Sequence, residues 1–407
     1  MTIQRQKQNN SALWLVLGGA FVLRMILAGV TEGYPYDMSC FVAWGEKLLA
    51  DGPAGFYSGG YFADYPPGYL FVLGFVALVR QILAIPYEAG MTYVLLAVVP
   101  SLCDCAAAAL VWHIGREKLP ESRLPLLLAA FVAFDPLLLF DTAVWKQIDG
   151  AFALPLLLCF YLLEKRRYLP AAVLYGVALA IKPQALLFGP VLAVCFLAAI
   201  VQEENRFRAF LRCFGGAALA LFPPLALGLP YFGLTNLLPK LLEKYAGTAA
   251  SYPYATINGF NWLVYLAAHS VREGRFSPLL LAAYYGLGIF TLAHCMHERY
   301  MVPGVLLTLL AAAHWEDIRL YAAGFGMSLT GFLNLSTVYS LTGSDDEWLT
   351  SATSSSVAIL VGLAETVCFV LLLFAVWDIV VHGHALPLPA CKAENTAPPA
   401  MPAPQPR

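Results

Sequence analysis

Residues Ser11–Val30 read SALWLVLGGAFVLRMILAGV, and the polar stretch Thr31-Glu32-Gly33-Tyr34-Pro35-Tyr36-Asp37 follows at once. An apolar run of about 20 residues spans the roughly 30 Å hydrocarbon layer as a helix, because a helix satisfies its own backbone hydrogen bonds where water is absent. No small-x-small cleavage site precedes Thr31, and many apolar runs follow, so this run reads as a retained helix and not as a signal peptide. The later runs lie at 67–85, 91–113, 124–143, 150–163, 168–182, 184–202, 209–229, 260–271, 278–295, 300–314, 318–341 and 356–381. Of the 407 residues, 60% are hydrophobic and 12% charged, against about 25% charged in a soluble domain. The expected fold is therefore all-α: a polytopic transmembrane helical bundle of about 11–13 spans.

From Ala385 to Arg407 the sequence turns to Pro, Ala and polar residues, which cannot bury a core. A disordered cytoplasmic tail is expected there, with residues 1–384 forming one transmembrane domain. The formal charge of -2 argues against a nucleic-acid partner. Of nine cysteines, Cys103, Cys105, Cys159, Cys195, Cys213, Cys295 and Cys368 lie in or beside apolar runs. They lack zinc-ligand spacing and do not form a disulfide framework, so packing is their expected role. No internal repeat is evident.

Lys and Arg near helix ends set orientation. Arg5 and Lys7 place the N-terminus in the cytoplasm and the Asp37 loop outside. The clusters Arg116–Arg123, Lys165–Arg167, Arg206–Arg208 and Arg272–Arg275 read as cytoplasmic, which puts 144–149, Lys182, 230–259, His297–Arg299 and 342–354 outside. Two full spans between Pro66 and Arg116 would break this pattern. The helix after Pro67 is therefore expected to dock on, or dip into, the outer leaflet, as Arg80 comes too soon for a crossing.

Five polar signals fall on the outer face. Asp37 precedes Phe41, Trp44, Leu48 and Leu49, a spacing that gives an amphipathic helix lying along the membrane with Glu46, Lys47 and Asp51 toward water. Asp37 itself reads either as a catalytic carboxylate or as an acid stabilised at a helix N-terminus. The loop closes with Asp64-Tyr65-Pro66-Pro67. Trp145-Lys146-Gln147-Ile148-Asp149 follows a run holding Asp135 and Asp141; it is a ligand-binding cluster or a turn capping the next helix. Lys182-Pro183-Gln184 interrupts an apolar run, where the ammonium needs a partner such as phosphate, or snorkels to water. Tyr252 to Trp262 offers Asn258 and Asn261 among aromatic rings, a set suited to a sugar. Met296-His297-Glu298-Arg299-Tyr300 can pair internally or donate to a phosphate ester; it lacks HExxH spacing.

The order of these elements over roughly residues 10–315 resembles the GT-C superfamily of integral-membrane glycosyltransferases. It is similar to bacterial mannosyltransferases and to relatives of dolichyl-phosphate-glucose glucosyltransferases. The resemblance implies a helical bundle with its site beneath the first outer loop and an acidic residue of that loop, here Asp37, as general base. Three departures stand out. Met38 follows Asp37 where many relatives carry a second acid, Lys146 stands where relatives tend to have Gly, and the interval from Trp262 to Met296 is short.

The expected function is that of a multi-pass cell-membrane glycosyltransferase. It would move a hexose, with inversion, from a polyprenyl-phosphate donor to a glycan, lipid or protein acceptor. Asp37 is the expected base, and Asp64, Tyr65, Gln147, Asp149, Lys182, Gln184, Asn258, Asn261, His297, Glu298 and Arg299 are the expected substrate contacts. No cofactor and no metal are expected. The alternative is a transporter or flippase of lipid-linked sugars, which Asp104, midway along its run, fits best.

Overall fold

The computed structural model describes residues 2–251, 259–292, 297–341 and 356–387, and among these the chain is helical, without a strand. In chain order the helices are α1 (Thr2–Val30), α2 (Pro35–Phe56), α3 (Pro67–Ile82), α4 (Gly90–Lys118), α5 (Leu124–Ala133), α6 (Pro136–Leu139), α7 (Asp149–Glu164) and α8 (Tyr168–Ile181). They continue with α9 (Gly189–Gln202), α10 (Arg206–Ser251), α11 (Gly259–Arg272), α12 (Pro278–Leu292), α13 (Val302–Trp315), α14 (Ile318–Leu341) and α15 (Ser356–Trp377). Pro35, Pro67, Pro125, Pro136 and Pro303 occupy first turns, where a helix needs no N–H from them. Asp135 caps α6 by accepting from the Leu137 and Leu138 N–H groups, and its other oxygen accepts from Ser328 Oγ of α14 at 2.6 Å.

Six stretches among the described residues are long and apolar enough to cross a membrane: Ser11–Val30, Gly90–Lys118, Leu124–Trp145, Pro183–Gln202, Arg206–Gly247 and Ser356–His382. Shorter helices complete the bundle. Residues Val302–Ala313 of α13 are buried on every side, the pattern of a helix that is apolar all round and central.

α1 and α4 run antiparallel. A Cβ on Gly90 would meet the Gly29 carbonyl at 2.7 Å, and lower down Arg24 pairs with Asp104 at 3.3 Å. The end of α1 that leads into Tyr34 is thus also the end where α4 starts. Between them α2 and α3 form a hairpin that leaves and returns at that end. Its helices touch closely, with a Cβ on Gly45 meeting the Leu73 carbonyl at 2.7 Å, and Arg80 bonds Glu46 at 3.1 Å. The hairpin brings the Arg116 end of α4 back beside the N-terminal half of the bundle, as the charge pattern requires.

The remaining passes alternate between two ends. At one end Trp145 and Arg299 meet Asp37, and Arg299 leads on to Asp149 and its partner Lys182; at the other Lys165 pairs with Glu117, and Arg319 with Asp378.

Three expectations need adjustment. In α2, Phe41, Trp44 and Leu48 are buried as the spacing predicts, whereas Leu49 lies on the exposed face beside Ala50. Asp104 does not line a polar path: it is fully buried, bonded by Arg24 and by Thr142 Oγ1 at 2.7 Å. Ala385–Pro387 are held in place, since the Leu386 N–H donates to Asp317 at 2.8 Å; the rest of the expected tail lies outside the described residues.

Candidate active site

Asp37 stands in the first turn of α2, toward the positive end of the helix dipole. The chain just before it is pinned. The Tyr34 N–H donates to the Trp145 carbonyl at 3.1 Å, and the Tyr34 ring stacks on the Trp145 indole at 4.4 Å. Trp145 closes a π-helical turn, Phe140–Trp145, that ends α6. Such insertions re-aim the residues that follow. Here Lys146 takes a left-handed conformation (φ 68°), the Gln147 N–H returns to the Asp141 carbonyl at 2.9 Å, and α7 starts at Asp149.

The result is a convergence on one oxygen. Trp145 Nε1 donates to Asp37 Oδ2 at 2.7 Å, and Gln147 Nε2 donates to the same atom at 2.6 Å. The Tyr65 hydroxyl donates to Gln147 Oε1 at 3.3 Å, which turns the amide so that its nitrogen faces Asp37. Tyr65 is itself wedged against Phe41 and Trp44, and Tyr57 Oη donates to its carbonyl. The hairpin thus sets the amide of a distant loop.

Arg299 lies in a short 3-10 turn, Glu298–Met301, between α12 and α13. Its guanidinium is 3.9 Å from Asp37 Oδ2, 3.8 Å from Asp149 Oδ2 and 3.5 Å from Glu298 Oε1, and it covers the Trp145 ring at 5.6 Å. These separations exceed hydrogen-bond length, and buried Nε has no hydrogen-bond partner among the described residues. Burial works against its charge, but Asp37, Asp149 and Glu298 outweigh it and hold the Arg299 pKa above the usual arginine value. Burial, reinforced by Arg299, lowers the His297 pKa below its ordinary value.

Lys182 differs from its expectation as a cation awaiting an anionic ligand. Its Nζ donates to Asp149 Oδ1 at 2.7 Å, with both side chains almost fully buried, because Lys182 breaks α8 opposite the first residue of α7. The pair leaves Asp149 Oδ2 without a hydrogen bond among the described residues, 3.8 Å from Arg299.

The structure therefore joins Asp37, Tyr65, Gln147, Asp149, Lys182, Glu298 and Arg299 in one cluster, with His297 4.0 Å from Glu298. Asp64 makes none of these contacts; burial pushes its carboxyl up, with Lys244 pulling the other way. Gln184 lies in the next turn, its amide oxygen and nitrogen both buried without partners among the described residues. Asn258 lies outside the described residues, and Asn261 falls in the first turn of α11, its side chain outside the described ones. Trp145 and Tyr34 were absent from the expected contacts. The available signal was an indole, a donor only, one residue before the Lys146-Gln147 pair and facing an acid elsewhere in the chain. A cleft of about 440 Å³ on the α2–α3 hairpin, lined by Glu46, Arg80 and Ile85 among others, holds none of the cluster.

No curated protein matches the chain. The profile of glycosyltransferase family 87 matches residues 62–333, a stretch that contains every clustered residue from Tyr65 to Arg299 and leaves Asp37 before its first position. Covering well over half of the 407 residues, that match shows that the chain belongs to glycosyltransferase family 87.

Proposed function

We propose that this membrane glycosyltransferase moves a hexose from a polyprenyl-phosphate-linked donor to an acceptor hydroxyl at the outer face of the cell membrane. In this reading Asp37 is the general base and the anomeric carbon is inverted. The observation that carries it is the asymmetry of the Asp37 carboxylate. Oδ2 receives both Trp145 and Gln147, whereas Oδ1 accepts no hydrogen bond among the described residues, and the side chain keeps 21% exposure. One oxygen is fixed and the other is open to a substrate proton.

The step balances simply. The acceptor O–H proton passes to Asp37 Oδ1 as the oxygen bonds to the anomeric carbon. The bond from that carbon to the phosphate oxygen breaks with its electron pair on the phosphate. Attack from the face opposite the leaving group inverts the centre. General-base assistance of this kind contributes about 10²–10⁴ in rate. The lipid phosphate leaves as a stable anion, and in this reading Arg299, which stands within 4 Å of three carboxylates but hydrogen-bonds none of them, offsets its charge. Glu298, whose side chain keeps some exposure, is the proposed acceptor for sugar hydroxyls, while the buried Tyr65, Gln147 and Asp149 act behind it by fixing Asp37 and Arg299; the acceptor substrate is a glycan, lipid or protein.

The test is Asp37→Asn in proteoliposomes supplied with radiolabelled polyprenyl-phosphate hexoses. The change removes the base while keeping shape, so transfer should drop below about a tenth of wild type with donor binding retained. Wild-type transfer rates in the variant would remove Asp37 from the base role.

A further inference from the structure

Lys146 sits between the two residues that grip Asp37, yet it points away from it. Its Nζ lies 2.8 Å from the Thr31 carbonyl and 2.8 Å from Thr31 Oγ1, and 3.3 Å from the Ala143 and Val144 carbonyls. The side chain is 1% exposed, with Nζ over the Tyr93 ring of α4 at 5.3 Å. Its stem lies against Gly33, where a Cβ would meet Lys146 Cδ at 2.9 Å; Gly33 has φ 82° and its carbonyl accepts from Tyr339 Oη of α14.

Two costs show that this arrangement is not neutral. A non-glycine residue pays for a left-handed conformation, and a buried ammonium must recover its lost hydration. Both are met at a single residue whose neighbours Trp145 and Gln147 donate to Asp37. Thr31 to Tyr34 is the connection that sets where α2 begins, and so where Asp37 lies. One cation therefore ties the segment carrying the base to the segment carrying the base's two donors.

We propose that Lys146 is a positioning residue for the transfer reaction, its ammonium latching the α1–α2 connection to the Trp145–Gln147 segment so that both donors converge on one oxygen of Asp37. This rests on Asp37 being the base. The latch needs the charged form, because three N–H donors serve four acceptors. Burial depresses the Lys146 pKa to about 7, with Glu32 pulling it back up. The other groups facing the latch are Tyr93 of α4 and Tyr339 of α14, whereas Asp37 of α2 and Arg299 contact the Trp145 side chain and not Lys146. His297, with its lowered pKa, titrates on the acid side and leaves the alkaline side to Lys146.

The experiment measures transfer from a radiolabelled polyprenyl-phosphate hexose over a range of pH for wild type, Lys146→Arg and Lys146→Met, with Asp37→Asn in parallel. Wild-type kcat should fall as pH rises through about 7. Lys146→Arg, charged throughout, should lose that alkaline fall. Lys146→Met should lower kcat about tenfold at neutral pH with donor KM little changed, and show no alkaline fall. A wild-type kcat in Lys146→Met, or an alkaline fall unaltered in Lys146→Arg, would overturn the latch. If Lys146→Met does not fold, the Arg profile decides. Full transfer by Asp37→Asn would instead sink the base reading on which the latch depends, whereas an inactive Asp37→Asn beside unaltered Lys146 variants sinks the latch alone.

Discussion

Arg299 has three carboxylates within 4 Å and a hydrogen bond to none of them, and in the proposed reaction it is the group that meets the donor phosphate. Lys182, by contrast, is committed to Asp149. Arg299→Ala should therefore weaken donor use about tenfold to a hundredfold in kcat/KM, the usual worth of a charge-assisted hydrogen bond; donor kinetics equal to wild type would exclude the contact. Trp145→Phe keeps the stack on Tyr34 and removes one donor to Asp37 Oδ2. It should lower kcat by a similar factor while donor KM holds, and a pure KM effect would argue that Trp145 only packs. These residues were legible in the sequence as kinds of chemistry: an acid in a loop, a cation in a break, a triplet between spans. Their partners were not. Nothing local in Lys182-Pro183-Gln184 names Asp149, which is 33 positions earlier.

At the scale of elements, the fold depends on buried pairs within the spans. Arg24 of α1 and Asp104 of α4 are both fully buried, and Arg24 also donates to the Ala133 carbonyl at the end of α5. Removing one partner of a buried pair leaves an uncompensated charge, a loss of about 3–5 kcal/mol, while replacing both with apolar residues costs far less. Asp104→Ala should accordingly lower the thermal unfolding temperature in detergent well below that of Arg24→Leu/Asp104→Leu. Equal unfolding of the two variants would show the pair to be dispensable. The apolar runs declared these helices. They did not reveal why an arginine could stand in the first of them, because the reason is a carboxylate 80 positions away.

At the scale of the whole molecule, the α2–α3 hairpin decides the orientation of everything after it. It returns the chain to the end at which α1 left it, so α4 carries Arg116 and Lys118 back to the side of the N-terminus. In a background without native cysteines, Ser58→Cys should react with an impermeant thiol reagent applied from outside, and Ser122→Cys only after permeabilisation. Labelling of Ser122→Cys from outside would place an odd number of crossings where the structure has a returning hairpin. It would also separate Lys182 and Arg299 from Asp37 across the membrane.

The sequence by itself determined the class of this protein. Long apolar runs admit only helices in a bilayer, and loop charges orient them, because both constraints are local to each segment. It also placed Asp37, the Trp145–Asp149 segment, Lys182 and the His297–Arg299 triplet on one face. Only the tertiary structure decided which oxygen of Asp37 is held and which is open, that Lys182 belongs to Asp149, and that Lys146 turns back to Thr31. Those outcomes depend on side chains from helices far apart in the chain meeting at hydrogen-bond distance. Hydropathy and spacing carry no information about such meetings; helix packing does.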